Sequence, residues 1–390
     1  MKCLTWMFLL SLFRNSYIFY IGRDVRMGKY KICVYAICKN EEKFVERWMN
    51  SMKEADYVVV LDTGSTDQSK KKLEEMGAIV KIEEIRPWRF DVARNHSLDL
   101  VPKDVDICVC TDLDEVFEAG WRQKLEDAWK PETTRARYNY NWSFDEYGKP
   151  AVNFYIEKIH KREGYRWTHP VHEVLSYDGE ESFITLDDMT VNHYPDQTKS
   201  RSSYLPLLEL SVKEDPDDDR NMHYLGREYM YYGRYQEAID TLKKHLSLKR
   251  ATWKDERCAS MRFIGRCYQY QEDFEHAEEW FIKATQEAPY LRDPFVELGL
   301  LYYFQKRYQE AVRVLEQALA IPKNEKSYIN EPFCYNGTVE DVLSICYFEL
   351  GNDEKSLIYV NAALSLDPNN ERIINNKKFI ENHFKELKQS

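Results

Sequence analysis

Between about residues 31 and 111, short apolar segments alternate with segments of helical period. The apolar segments predict four strands: Lys31–Ile37, Tyr57–Leu61, Ala78–Ile82 and Asp106–Thr111. Two amphipathic segments predict helices between them: Glu41–Met52 and Asp91–Leu100. This alternation is typical of a parallel sheet covered by helices, in which the strands are buried on both faces.

The pattern changes after the fourth strand. The segments Arg135–Trp142 and Ala151–His160 flank a turn-rich hexamer at 145–150, which predicts an antiparallel hairpin. We therefore expect an α/β domain with a doubly wound half and an antiparallel part, and a crevice where the strand ends meet.

From about Ser200 onward the pattern is wholly helical and repeats itself. Three copies share an apolar residue, glycine and tyrosine at fixed spacing, and a fourth has serine in place of glycine: Leu225–Tyr229, Ile264–Tyr268, Leu298–Tyr302 and Leu343–Tyr347. The copies recur close to the period of about 34 residues that marks tetratricopeptide repeats. The small residues let paired helices approach closely, and such stacks have concave surfaces that hold peptides or proteins.

The predicted domains are therefore an α/β domain at 27–200 and an all-α repeat domain at 201–390. Residues 1–26 match neither pattern, and their apolar runs Cys3–Phe13 and Tyr17–Ile21 are shorter than the roughly 20 residues of a membrane span. Because Met27 leads directly into the first strand, we expect an extension with no catalytic role. A weak membrane anchor is the alternative.

Charge and cysteine content narrow the class of partner. The formal net charge is −11, without a basic block, which argues against binding to nucleic acid or to an anionic membrane surface. Nine cysteines without a C-x-x-C pair indicate reduced thiols in a cytoplasmic protein. Small molecules and proteins are the expected partners.

Acidic residues follow two of the predicted strands. Asp112 and Asp114 come directly after the fourth strand, and Asp62 ends the second. Two carboxylates in the turn leaving a strand can hold a hard divalent ion that in turn binds a diphosphate. Asp62 is suited to accept hydrogen bonds from a base or a ribose.

Taken together, three motifs resemble family-two glycosyltransferases of the GT-A fold: Ala36–Glu42, Val58–Asp67 and Asp112–Glu115. The resemblance covers about Lys31–Pro195. Three further segments resemble the branch that carries tetratricopeptide repeats, which includes enzymes that glycosylate cysteines of sublancin-type peptides: Phe90–Asn95, Val171–Glu173 and Asn192–Tyr194. The fold it implies is a Rossmann-like GT-A domain followed by a tetratricopeptide-repeat solenoid.

The resemblance also implies site residues. The nucleotide-binding candidates are Asn40, Glu41, Asp62, Arg94 and Asp112. The ligands expected for Mg²⁺ or Mn²⁺ are Asp112, Asp114 and His193. Glu173 is the candidate general base, and His172 either replaces or orients it. The usual Glu-Asp base pair of the family is not evident, and Arg94 has the alternative of a salt bridge to Asp91 or Glu115.

The resulting hypothesis is a metal-dependent, inverting glycosyltransferase that uses a nucleotide sugar, with UDP as the expected nucleotide. Its acceptor is a peptide, a protein or a glycan, and the repeats either position that acceptor or form a homodimer. One alternative is a scaffold whose glycosyltransferase domain is degenerate. Another is a nucleotidyltransferase, but the acidic stretch Cys38–Glu42 stands where such an enzyme needs a glycine- and lysine-rich phosphate loop.

Overall fold

The computed structural model describes residues 28–145, 147–196, 202–322 and 329–387. The predicted extension at 1–26 lies outside these ranges. Within them, no helix is both long enough and apolar enough to cross a membrane. The predicted domain limits of 27–200 and 201–390 stay predictions, although the last strand ends at His193 and the next helix begins at Tyr204.

The N-terminal region contains ten strands and four helices. The strands are β1 (Ile32–Cys38), β2 (Tyr57–Asp62), β3 (Ile79–Ile82), β4 (Ile107–Cys110), β5 (Glu115–Phe117), β6 (Arg135–Phe144), β7 (Pro150–Lys161), β8 (Tyr165–Thr168), β9 (Val174–Tyr177) and β10 (Phe183–His193). The helices are α1 (Glu42–Met52), α2 (Ser69–Glu75), α3 (Phe90–Asp99) and α4 (Trp121–Ala128). All four predicted strands, both predicted helices and the hairpin are confirmed, with ends that differ by one or two residues.

Eight of the strands form one mixed sheet in the order β3-β2-β1-β4-β7-β6-β10-β5. Strands β3, β2, β1 and β4 are parallel, and β7 joins β4 and β6 in antiparallel pairing. One face packs on α1 through residues such as Trp48, and the other packs on α3 through residues such as Leu98. Cys108 and Cys110 share the α3 face, because residues two apart in a strand point to the same side.

The hydroxyl residues Ser65 and Thr66 after β2 do not cap the next helix, because α2 begins at Ser69 with Gln68 as its N-cap. Ser65 Oγ instead accepts a hydrogen bond of 2.9 Å from the backbone N–H of Asn40. This hydroxyl therefore connects the loop after β2 to the loop after β1.

The C-terminal region is helical. Its α-helices are α5 (Tyr204–Glu214), α6 (Asp219–Tyr231), α7 (Tyr235–Ser247), α8 (Lys254–Tyr270), α9 (Phe274–Glu287), α10 (Asp293–Phe304), α11 (Tyr308–Ala320), α12 (Thr338–Glu349), α13 (Asp353–Leu366) and α14 (Glu371–Leu387). Four antiparallel hairpins, α6–α7, α8–α9, α10–α11 and α12–α13, correspond to the four predicted repeats. A Cβ atom on Gly265 would lie 2.7 Å from the Phe281 ring, so glycine is what permits this close helix crossing.

The two regions share a small apolar core. Val171, from the loop after β8, packs with Leu208 of α5 and Tyr224 of α6. Arg89, directly before α3, pairs with Glu214 at the end of α5 at 2.6 Å. The first repeat helices therefore support the loop that carries His172 and Glu173.

Candidate active site at the strand ends

Asp62 closes β2 beside the end of β1, with which it pairs in register at Cys38. Its Oδ1 accepts hydrogen bonds from the backbone N–H groups of Gly64, at 2.9 Å, and Ser65, at 2.7 Å. Its Oδ2 is buried and makes no hydrogen bond within the described parts of the chain. One carboxylate oxygen thus holds the loop, and the other is oriented for a further donor.

Asn40 and Glu41 follow β1. Asn40 has a left-handed backbone with φ of 54°, and its Oδ1 accepts a hydrogen bond of 2.7 Å from the backbone N–H of Thr66. The N–H of Glu41 donates to Ser69 Oγ at 2.8 Å. Both residues therefore fix the loops that border Asp62, which is a supporting position for the predicted nucleotide pocket.

Asp112 follows β4 and lies between two cations. Arg94 Nη2 is 2.9 Å from its Oδ1, and Lys158 Nζ is 2.9 Å from its Oδ2. Burial alone would raise the pKa of the Asp112 carboxyl, but the charges of Arg94 and Lys158 outweigh it and hold the pKa well below its usual range. Asp112 is therefore ionised throughout the physiological range.

Lys158 also binds Glu115, the next acidic residue of the motif. Its Nζ lies 2.7 Å from Glu115 Oε1, and Tyr140 donates to the same oxygen at 3.0 Å. Burial raises the pKa of Glu115 despite the lysine. Arg94, Lys158, Asp112 and Glu115 thus form one charged network below the crevice.

Glu173 forms a second ion pair with Arg94 Nε. Arg94 consequently bridges Asp112 and Glu173, so the alternative of a salt bridge to Asp91 or Glu115 is wrong. Asp91 instead pairs with Arg89 at 2.9 Å. The predicted base thus lies beside the acidic motif, held there by a buried guanidinium.

His172 has different neighbours from Glu173. Its ring stacks on Tyr224 of α6 with centroids 4.1 Å apart, and its carbonyl accepts a hydrogen bond from Arg220. These contacts orient the imidazole toward the first repeat helices. Its predicted catalytic role stays a prediction.

Asp114 and His193 form the outer part of the site. His193, the last residue of β10, has its Nδ1 3.0 Å from the Trp142 carbonyl and its Nε2 3.5 Å from Asp114 Oδ2. Burial would lower the pKa of His193, but the contacts with Asp114 and the Trp142 carbonyl outweigh it and raise the pKa. Since Nδ1–H donates to the carbonyl, Nε2 is the nitrogen that faces Asp114.

The charges of this site do not balance. Four carboxylates, on Asp112, Asp114, Glu115 and Glu173, surround the two permanent cations Arg94 and Lys158. With all four carboxylates ionised, the formal excess is two negative charges when His193 is neutral and one when it is protonated, the form that its raised pKa favours. An arrangement of this kind is suited to a divalent cation at Asp114 and His193, the pair that is not bound to Arg94 or Lys158.

A comparison with protein families agrees with this geometry. The family model described as Glycosyl transferase family 2 matches residues 33–176. The N-terminal region is a family 2 glycosyl transferase domain. Its match covers β1, the strand-end residues Asp62, Asp112 and Asp114, and the loop with Glu173, and it indicates glycosyltransferase activity in general.

Tetratricopeptide-repeat models match behind the glycosyl transferase domain, at 263–290, 295–327 and 342–370. Solved structures similar to the repeats include MamA, with 18% identity, 43% of this chain and 82% of that chain covered, and a TM-score of 0.34. YrrB, described as a tetratricopeptide-repeat protein with an unusual peptide-binding site, has 16% identity, 45% and 83% coverage, and a TM-score of 0.35. A tetratricopeptide-repeat protein of Thermus thermophilus has 18% identity, 46% and 89% coverage, and a TM-score of 0.33. No curated protein matches the chain significantly.

Two contacts of the site escaped sequence reasoning. Lys158 lies beside Glu157 in β7, so nothing in the local pattern marks it as the buried one of two charged neighbours that contacts Asp112. Trp142 is 46% exposed, and its ring stacks on the His193 ring with centroids 4.5 Å apart. Both depend on pairing between distant strands.

Proposed function

We propose that the glycosyl transferase domain moves a sugar from a nucleotide sugar, with UDP as its nucleotide, to an acceptor side chain or glycan. The observation that carries this proposal is the excess of negative charge at the strand ends, beside the pair Asp114 and His193. Arg94 and Lys158 hold the Asp112 carboxylate at the same strand ends.

The residues present fit a divalent cation. Asp114 supplies a carboxylate oxygen, and His193 presents Nε2 because its Nδ1–H is held by the Trp142 carbonyl. Mg²⁺ or Mn²⁺ bound there would neutralise the charge that develops on the leaving nucleoside diphosphate. Asp112 orients this edge and remains a candidate for the ribose or the ion.

The uracil is assigned to Asp62. Its buried Oδ2 is an acceptor, and N3–H of uracil is a donor of matching kind. Cytosine has no hydrogen on that ring nitrogen, so a UDP preference over CDP follows from this contact. The loops held by Asn40 and Ser65 keep the carboxylate at the end of β2.

The transfer itself is a single displacement with inversion at the anomeric carbon. The acceptor oxygen or sulfur forms its bond to that carbon as the bond to the diphosphate oxygen breaks, and the acceptor proton passes to Glu173. Arg94 positions the Glu173 carboxylate for this step. A thiol acceptor ionises more readily than a hydroxyl and needs less help from a base.

The test is a donor screen with the purified full chain, using UDP-, GDP- and CDP-sugars with and without Mn²⁺. Transfer or donor hydrolysis should require UDP and the metal, and Asp114→Asn should reduce it by about 10³-fold, the size of effect expected for loss of one electrostatic contact to the leaving group. The matched control is Asp99→Asn, which removes a surface carboxylate paired with Arg166. Full activity of Asp114→Asn would contradict the metal assignment. Turnover of no nucleotide sugar would favour a binding scaffold.

A further inference from the structure

A second cluster of ligand-type side chains lies in the repeats, away from the strand ends. Asp219 is in the first turn of α6, His245 in the last turn of α7, and Glu256 in the first turn of α8. One ligand atom from each of the three lies within 4.8 Å of the other two. His245 is fully buried and Glu256 is 4% exposed. Three helices thus bring one imidazole and two carboxylates to a single interior point.

The orientation of His245 is fixed from behind. Its Nδ1 lies 2.9 Å from Ser260 Oγ, and the same oxygen lies 2.7 Å from Nδ1 of His223. A serine hydroxyl has one hydrogen, so one of the two rings must donate to it. When His245 is that donor, the lone pair of its Nε2 points away from Ser260 and toward the carboxylates.

That nitrogen is the unusual atom of the cluster. Nε2 of His245 makes no hydrogen bond to any residue that the structure describes, and it lies 3.5 Å from Glu256 Oε1. A nitrogen lone pair facing a carboxylate oxygen at that distance in the protein interior is repulsive unless a proton or a metal cation lies between them.

We propose that Asp219, His245 and Glu256 bind a zinc ion that joins the first two repeats. One imidazole nitrogen with two carboxylate oxygens is a ligand set that zinc accepts. A tetrahedral ion with bonds of about 2.0–2.2 Å places its ligand atoms about 3.3–3.6 Å apart, which matches the separation of His245 and Glu256. Ser260 and His223 form the supporting shell that orients the histidine.

Zinc at this position connects separate hairpins, since α6 and α7 belong to one repeat and α8 to the next. The turn that carries Asp219 also touches the glycosyl transferase domain: Asp218 lies 3.2 Å from His169 Nδ1, and Arg220 donates to the His172 carbonyl. The ion therefore stabilises the repeat surface on which the loop of Glu173 rests.

The experiment uses the full chain with Asp114→Ala, which removes the predicted cation site of the transferase domain. The metal-free protein is titrated with Co²⁺, whose visible absorption reports tetrahedral coordination, and then with Zn²⁺ as competitor. We expect one equivalent of cobalt to bind and zinc to displace it. Glu256→Gln and Asp219→Asn should each abolish the cobalt spectrum, and Ser260→Ala should weaken the affinity about 10–100-fold.

The matched control is His276→Gln, which removes an exposed histidine that pairs with Asp273 in the same repeats. This variant should bind cobalt like its parent. Thermal unfolding with Zn²⁺ gives a second readout, and only the proteins with an intact cluster should gain stability from the ion. A spectrum that survives Glu256→Gln and Asp219→Asn, or no cobalt spectrum and no stabilisation by zinc, would overturn the proposal and leave a buried proton between His245 and Glu256.

Discussion

Both regions of the molecule bury charged side chains, but the two settings differ. In the repeats, Arg262 and Arg266 both bind the Glu297 carboxylate at 2.8 Å, between adjacent helices in the interior. In the sheet region, Lys158 binds Asp112 in the turn that also carries Asp114, and the side chains of these two aspartates are 32% and 23% exposed. The first arrangement joins helices, and the second leaves carboxylates partly exposed at the strand ends. Buried charge alone therefore does not indicate a binding site, whereas partly exposed carboxylates at the strand ends do.

The largest stability effect is expected when Lys158→Met is compared with Arg262→Met. Lys158 is the cation bound to Glu115, so its loss leaves a buried carboxylate without a counter-ion and should cost about 3–5 kcal/mol. Glu297 keeps Arg266 when Arg262 is removed, so that change should cost less, about 1–3 kcal/mol. Urea unfolding of both variants measures the difference. Equal losses of unfolding free energy in the two variants would show that Glu115 does not depend on Lys158 more than Glu297 depends on Arg262.

At their helix crossings, the repeats should be more sensitive to added volume than to the loss of a hydroxyl group. Gly265→Ala forces a methyl group against Phe281, which should cost about 1–3 kcal/mol, offset by about 1 kcal/mol of helix propensity. Ser344 holds the matching position of the fourth repeat, so Ser344→Ala is the control, and it loses only one hydrogen bond to the Asp341 carbonyl. The unfolding midpoints of the two proteins provide the comparison. An unfolding midpoint of Gly265→Ala equal to that of the unmodified protein would mean that the two helices cross at a greater distance than the structure shows.

Each region also contains a buried neutral histidine, which makes the stability of the protein depend on pH. Burial lowers the pKa of His160, in β7, to about 3, and that of His223, in α6, to about 3. Below the unfolded pKa of about 6.5, only the unfolded chain takes up these protons, so stability should fall with falling pH by about 1.4 kcal/mol per unit for each histidine, down to about pH 3.

Urea unfolding between pH 7 and pH 4 tests this slope in metal-free protein. His160→Gln and His223→Gln should each flatten it, while the exposed His276→Gln should leave it unchanged. An unchanged slope in both buried variants would contradict the neutral state of these rings.

Local patterns sufficed for most of the fold. The uniform apolar run of β2 and the amphipathic face of α1 each identify an element within ten or so residues. The repeats are recognisable in the sequence because Gly226, Gly265 and Gly299 recur, each with a large apolar residue of the paired helix. The positions of Asp62 at the end of β2 and of Asp114 in the turn after β4 follow from the same local patterns, and their roles stay predictions.

What local patterns could not supply is pairing across the sheet. The contact of His193 with the Trp142 carbonyl requires that β10 lie beside β6, and Lys158 reaches Asp112 because β7 lies beside β4. Strand order of this kind depends on which edges pair in the folded chain. The position of His172 against Tyr224 likewise depends on how the repeats dock on the loop after β8.

The central claim is that the strand ends bind UDP through a divalent cation held by Asp114 and His193. Calorimetric titration of the full chain with UDP and with GDP, each with and without Mn²⁺, measures this directly, with Asp114→Ala as the variant and Asp99→Asn as its control. We expect UDP to bind only with Mn²⁺ and more tightly than GDP. Asp114→Ala should lose this binding, and Asp99→Asn should keep it. UDP binding of equal strength without metal, or in Asp114→Ala, would contradict this claim.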